Sequence, residues 1–141
     1  MHQIESLQSA QLAKPRVGVL MGGRSRERAI SLRTGTAILQ ALERLGYGAE
    51  AIDVDETFLL RLPTLDIDLA FIALHGAFGE DGRIQALLEW RGIPYTGSGV
   101  LTSALCMRKD RLKRFLAASG VPMAHDATYV RDAGFGVGLL S

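Results

Sequence analysis

Val17-Gly18-Val19-Leu20-Met21, closed by Gly22-Gly23, is the stretch that decides the fold. A nearly continuous apolar run with two β-branched valines that stops at a glycine pair reads as a strand buried on both faces and ending in a turn. From Ile30 to Leu45 the residues Ile30, Thr34, Ala37, Ile38, Ala41, Leu42 and Leu45 recur at three- and four-residue steps. Gly46 then stands where a helix C-terminus favours a left-handed residue. Ala49 to Val54 alternates in polarity and predicts a second, less buried strand. The unit is β-α-β.

The same alternation continues downstream. Thr57 to Leu62 predicts a helical turn closed by Pro63, and Leu69 to Leu74 is the most hydrophobic strand, expected at the sheet centre. His75 to Gly82 is a loop with three glycines, and Arg83 to Trp90 is a helix with Ile84, Leu87 and Leu88 on one face. Ile93 to Thr96 reads as short and extended, Gly97-Ser98-Gly99 as a turn, and Val100 to Cys106 and Arg108 to Ser119 as helices. Met107, Leu112, Phe115 and Leu116 are expected to form the core face of the last helix, opposite a solvated basic run. Strands alternating with helices through short connections require an α/β fold. The expected form is Rossmann-like: an open, mainly parallel sheet of about four strands with helices on both faces. In such sheets ligands sit beyond the carboxyl ends of the strands.

Composition sets the limits. The chain has 141 residues, 48% of them hydrophobic and 22% charged, enough for one domain with its own core. Sixteen Lys and Arg against fifteen Asp and Glu leave a net charge of +1, which argues against nucleic acid as a partner. A single cysteine, Cys106, and three histidines without finger or ribbon spacing give neither a disulfide nor a zinc site, and fit a cytoplasmic protein. No apolar stretch approaches the roughly 20 residues of a membrane span, so no membrane association is expected. Residues 1–16 are polar and read as a leader outside the core.

At the expected ligand-bearing edge, Gly22-Gly23-Arg24-Ser25-Arg26-Glu27-Arg28 places glycines, a hydroxyl, guanidinium groups and one carboxylate at a strand tip. Glu27 can receive an ammonium group there, while free N–H groups near Ile30 and Ser31 can receive an anion, and an amino acid carries both charges. The alternative is that Glu27 pairs with Arg24, Arg26 or Arg28 on a solvated turn. His75 follows the third strand directly and can donate a hydrogen bond to a carboxylate, or serve as a structural hydrogen-bonding residue. Glu80 and Asp81 precede a helix and are expected to interact with its N-terminal dipole. Ser25 lacks the closing glycine of a nucleophile elbow. Gly97-Ser98-Gly99 matches only the first two glycines of a dinucleotide fingerprint.

Val19-Leu20-Met21-Gly22-Gly23 with Ser25, Glu27-Arg28 and Ser31-Leu32 forms the first of several linked motifs. Phe71-Ile72-Ala73-Leu74-His75-Gly76 with Gly79-Glu80-Asp81-Gly82 follows, then Pro94-Tyr95-Thr96-Gly97-Ser98-Gly99, Ser103-Ala104 and Lys109. Together, from about Val17 to Val130, they resemble the N-terminal domain of D-alanine-D-alanine ligases. The resemblance implies a pre-ATP-grasp fold and an ATP-dependent, ADP-forming enzyme of the ATP-grasp class. Such an enzyme phosphorylates the carboxylate of one D-alanine and lets the amine of a second attack it, giving a peptidoglycan precursor. It further implies Glu27 as the catalytic-site acid holding the ammonium of the first D-alanine, and His75 with the backbone near Ile30 contacting its carboxylate. Lys109 is implied at the ATP phosphates, and magnesium in the complete enzyme with no metal ligand assigned here. A cytosolic homodimer completes the picture.

One departure stands out: the family's usual Ser-Met-Asp-Lys is Cys106-Met107-Arg108-Lys109 here. On this resemblance residues 17–122 are the substrate domain, and 123–141 begin the connection to an ATP-grasp domain that the chain does not contain. The 141-residue chain alone is then expected to lack activity. Two alternatives of other classes are a non-catalytic dimerisation or binding module, and a small dinucleotide-binding domain suggested by Gly97-Ser98-Gly99.

Overall fold

The computed structural model describes residues 14–125, 128–131 and 137–140. Residues 1–13 of the expected leader, and 126–127, 132–136 and 141 of the expected connection, lie outside the described residues. The elements in order are β1 (Val17–Met21), α1 (Arg28–Arg44), β2 (Ala49–Asp53), α2 (Phe58–Arg61), a 3-10 turn (Leu62–Thr64), β3 (Leu69–Ile72), α3 (Arg83–Arg91), α4 (Val100–Cys106), α5 (Lys109–Ala118), β4 (Thr128–Arg131) and β5 (Val137–Leu140). β4 and β5 pair antiparallel, Thr128 opposite Leu140.

β1 is buried along its whole length, as its unbroken apolar run requires. It pairs in parallel with β2 from Val17–Ala49 to Met21–Asp53, and with β3 from Val17–Leu69 to Leu20–Ile72. The order β2-β1-β3, with Tyr95 bridged to the far side of β3, places β1 and β3 together at the middle of the sheet, as the hydrophobicity of Leu69 to Leu74 predicts.

The expected fourth strand, Ile93 to Thr96, is present as a single parallel bridge from Tyr95 to Ala70. The amide of Ala70 donates to the Pro94 carbonyl at 2.8 Å, and the amide of Thr96 to the Ala70 carbonyl at 3.0 Å. The ladder goes no further because Pro94 has no N–H to give and Gly97, at φ +103°, turns the chain away. The Tyr95 hydroxyl donates to Glu89 at 2.6 Å, which ties this segment to α3 and pushes the phenol up to about 12.

Alternation along β1 sorts the two faces. Val17, Val19 and Met21 join Ala73 beneath Leu32, Ile38, Leu39 and Leu42 of α1. Leu20 turns the other way, into a core with Ile52, Phe58, Ala70, Ile84 and Leu88. Helices thus cover both faces, as the parallel topology demands. α1 lies close to the sheet because Gly35 has no side chain: a Cβ there would stand 2.5 Å from that of Met21.

α5 departs from expectation. None of its residues is buried, and Phe115 is 60% and Met107 42% exposed. The reason is that α5 packs chiefly against α4, which leaves Leu112 and Leu116 half-buried and Phe115 turned to solvent. Among those residues no helix is long and apolar enough to cross a membrane.

Candidate functional site

Parallel strands end together, so the loops after β1, β2 and β3 converge on one edge. The first of them begins with Gly22 and Gly23 at φ +78° and +79°, a left-handed pair that turns the chain sharply out of β1. Ser31, fully buried in the first turn of α1, accepts the Gly22 amide at 2.9 Å and donates to the Ala73 carbonyl at 2.7 Å. One hydroxyl thus joins the end of β1 to the end of β3. Ser25 makes a second tie: its Oγ donates to the His75 carbonyl at 2.8 Å and accepts the Glu27 amide at 3.1 Å. Ser25 is therefore occupied in holding the loop.

Glu27 occupies the N-cap position of α1 without using its side chain as a cap. Its Oε2 instead lies over Gly76, where a Cβ would approach it to 2.4 Å. Arg24 pairs with Glu56 at 3.7 Å and Arg28 with Asp53 at 2.5 Å. The solvated-turn pairing is not formed: among the described residues Glu27 has no cationic partner.

The first i to i−4 bond of α1 runs from the Ser31 amide to the Glu27 carbonyl at 3.0 Å. Of the amides before it, that of Arg28 donates to the Ser25 carbonyl at 3.2 Å, and those of Ala29 and Ile30 open from the helix N-terminus toward the same edge. The Ile30 side chain is half-exposed and takes no part.

His75 follows β3 and is partly buried. Its Nε2 is 3.3 Å from Thr34 Oγ1 on α1, and its Nδ1 is 3.9 Å from Glu80 Oε1. The other Glu80 oxygen accepts the Gly76 amide at 2.8 Å. Glu80 therefore serves the histidine loop, whereas Asp81 meets the start of α3 through the Arg83 amide at 3.3 Å and the Arg83 guanidinium. Gln85, buried on α3, donates to the Gly79 carbonyl at 2.9 Å and holds the loop from below. Thr34, Phe71, His75, Glu80, Gln85 and Cys106 are among the residues lining an open depression of about 400 Å³.

Arg28 reaches away from Glu27. Its two terminal nitrogens grip Asp53 at 2.7 and 2.5 Å, and one of them also donates to the Gly23 carbonyl at 3.1 Å. The hydrogen-bonded guanidinium holds the Asp53 carboxyl below its usual range, and Asp53 in turn raises Arg28.

Lys109 does not join this group. It is the exposed first residue of α5, beside Arg108, whose guanidinium pairs with Asp110 at 3.2 Å. The structure thus brings Glu27, the first-turn amides and His75 to one edge and leaves Lys109 on a neighbouring helix. Sequence reasoning missed Glu80 and Thr34 as partners of His75, and Asp53 as the partner of Arg28. An acid closing a strand at the ligand-bearing edge, as Asp53 does, was the available signal. Thr34 was hidden within the helical apolar pattern.

The resulting edge offers an unpaired carboxylate, free helix amides and an imidazole within one loop cluster, the complement of a small molecule bearing both an ammonium and a carboxylate group. The family described as D-ala D-ala ligase N-terminus matches residues 61–98. The D-alanine–D-alanine ligase of Trichlorobacter lovleyi is 54% identical over 118 residues, which is 84% of this chain and 38% of that protein. That of Desulforudis audaxviator is 56% identical over 77% of this chain and 35% of its own length. Among solved structures, the D-alanine–D-alanine ligase of Bacillus anthracis complexed with ATP superposes with a TM-score of 0.74 at 39% identity, over 86% of this chain and 42% of that one. The Coxiella burnetii ligase gives 0.72 at 31% identity, over 87% and 48%. The chain spans less than half the length of each of these relatives.

Proposed function

We propose that this chain, as a member of the D-alanine–D-alanine ligase family through its N-terminal domain, forms the D-alanine-binding wall of an ATP-dependent ligase. The observation that carries the reading is the Glu27 carboxylate, without a cationic partner among the described residues, lying over Gly76 one residue beyond His75. A bound D-alanine places its ammonium on Glu27, and its carboxylate between the amides near Ile30 and the His75 imidazole. Thr34 and Glu80 flank the ring and set its orientation. The chain's residues bind and orient this substrate. When bound, ATP supplies the phosphoryl group that activates the carboxylate as an acyl phosphate, from which the amine of a second D-alanine expels phosphate, leaving ADP and the dipeptide.

Lys109 suits a phosphate contact, since it is exposed and cationic at the start of α5. We assign no magnesium ligand to this chain: no three of its His, Cys, Asp and Glu side chains stand together among the described residues. In this reading residues 17–122 are the substrate domain, 1–16 a leader, and 123–141 lead toward the ATP-grasp domain. The protein works in the cytoplasm as a homodimer, for which Trp90 and Leu101, 75% and 80% exposed, offer apolar surface.

Titration of the isotope-labelled chain with D-alanine, followed by amide NMR, tests the assignment. Saturable shifts at Glu27, Ile30 and Gly76 are expected, and Glu27→Gln should abolish them. Absent shifts, or shifts that survive in Glu27→Gln, would overturn it. Because electrostatic stabilisation dominates phosphoryl transfer, the chain alone should form no dipeptide from ATP, magnesium and D-alanine in a coupled assay, and protein-dependent turnover would refute that part.

A further inference from the structure

Among the described residues no side chain holds the Glu27 carboxylate directly. Its side chain makes no cap bond and no ion pair among the described residues, so the direction of its carboxylate is set by the turn that carries it. On one side of that turn Ser25 receives the Glu27 amide. On the other, a single guanidinium closes the loop: Arg28 donates to both oxygens of Asp53 and to the carbonyl of Gly23, five residues back. Asp53 is a firm anchor, because it ends β2 and its own carbonyl accepts Arg61 at 2.6 Å. The pair packs directly on the turn. A Cβ at Gly22 would fall 2.2 Å from Asp53 Oδ1 and 2.6 Å from the Arg28 nitrogen.

With side chains 43% and 35% exposed, this ion pair is screened by solvent and its contribution to global stability is modest, about 1 kcal/mol or less. Its consequence is geometric. A planar fork that satisfies a carboxylate and a carbonyl together fixes orientation in a way a point charge does not.

We propose that the Arg28–Asp53 ion pair is the positioning element of the ammonium subsite, fixing the turn that lays the Glu27 carboxylate over Gly76. The inference rests on the reading of Glu27 given above. The test uses the whole labelled chain, as wild type, Arg28→Met, Arg28→Lys and the near-isosteric Asp53→Asn. The first readout is the nuclear Overhauser contact between the Glu27 side chain and the Gly76 α-protons, which needs no ligand. It should be present in wild type, partly retained in Arg28→Lys and lost in Arg28→Met and Asp53→Asn, while the amide shifts of β1 and β3 stay in place. The second readout is D-alanine affinity, expected to fall about tenfold or more in the two disrupting variants.

Should Arg28→Met fail to fold, Asp53→Asn carries the test. An undiminished contact in Asp53→Asn would overturn the proposal. Failure of the ammonium-site reading looks different: D-alanine then does not bind wild type, or binds Glu27→Gln equally well, whatever the contact shows.

Discussion

His75 and Glu80 face each other across 3.9 Å, Nδ1 to Oε1, while the second oxygen of the same carboxylate accepts the Gly76 amide at 2.8 Å. One side chain thereby stands beside the imidazole and bonds the backbone immediately after it. Glu80→Gln can keep the bond to Gly76 through its amide oxygen, whereas Glu80→Ala cannot. Hydrogen exchange at the Gly76 amide should remain slow in the first variant and become fast in the second. Equal exchange in the two would show that Glu80 does not hold the loop.

Gly76 stands at φ +70° with Glu27 Oε2 where its Cβ would be. Gly76→Ala should cost about 1 kcal/mol for the left-handed backbone, read as a lower urea midpoint. The carboxylate is the far end of a flexible side chain and can swing away, so the larger effect should fall on D-alanine binding. A variant that loses stability yet binds as wild type does would separate Glu27 from the site.

Ser31 is sealed from solvent and serves two backbone groups at once. Ser31→Ala leaves the Gly22 amide and the Ala73 carbonyl unpaired in the core, a loss of about 1–3 kcal/mol. Thr36→Ala, which removes an exposed bond back to the Leu32 carbonyl, should stay within about 0.5 kcal/mol. Urea denaturation of both variants checks the contrast.

Acid should weaken the fold through identifiable carboxylates. Asp53, hydrogen-bonded by Arg28, Asp68, hydrogen-bonded by Arg16, and Asp55, hydrogen-bonded by Thr57, are all held below their ordinary value of 3.8. A depressed folded-state value stabilises the protein above the ordinary carboxylate range and ceases to do so as pH falls through it. The difference in urea midpoint between wild type and Asp53→Asn, small because the pair is solvent-screened, should therefore be present at about pH 7 and vanish at about pH 2. A difference that grows on acidification would contradict the assignment.

Much of this was legible in the residues. The VGVLM run gave β1, its burial and its glycine turn, and the three- and four-residue steps after Ile30 gave α1, because period and turn chemistry are local properties. Glu27 and His75 were legible as candidates because each follows a strand at the edge where loops gather. What escaped was pairwise and long-range. Asp53 meets Arg28 only because β2 lies beside β1, and Thr34 meets His75 only because the first turns of α1 stand beside the end of β3, where Ser31 bonds Ala73. Neither contact, 25 residues apart for Arg28 and Asp53 and 41 for Thr34 and His75, has a sequence spacing to betray it. The apolar side of α5 was read correctly as a pattern and wrongly as a core face, since periodicity says which residues share a side and nothing about what lies against it.

Of the two strands at the middle of the sheet, β1 is also the earliest described strand to be synthesised, and this orders assembly. β1 cannot find a hydrogen-bonding neighbour until a whole helix and a further strand have followed it from the ribosome, because a parallel partner requires a crossover. Until then five uncharged residues with high strand propensity remain available to other chains. Arg16 on one flank, and Arg24, Arg26 and Arg28 on the other, bracket that segment with positive charge. The arginines that shape the finished loop are thus placed to repel a second nascent copy while the first is still waiting for its neighbours.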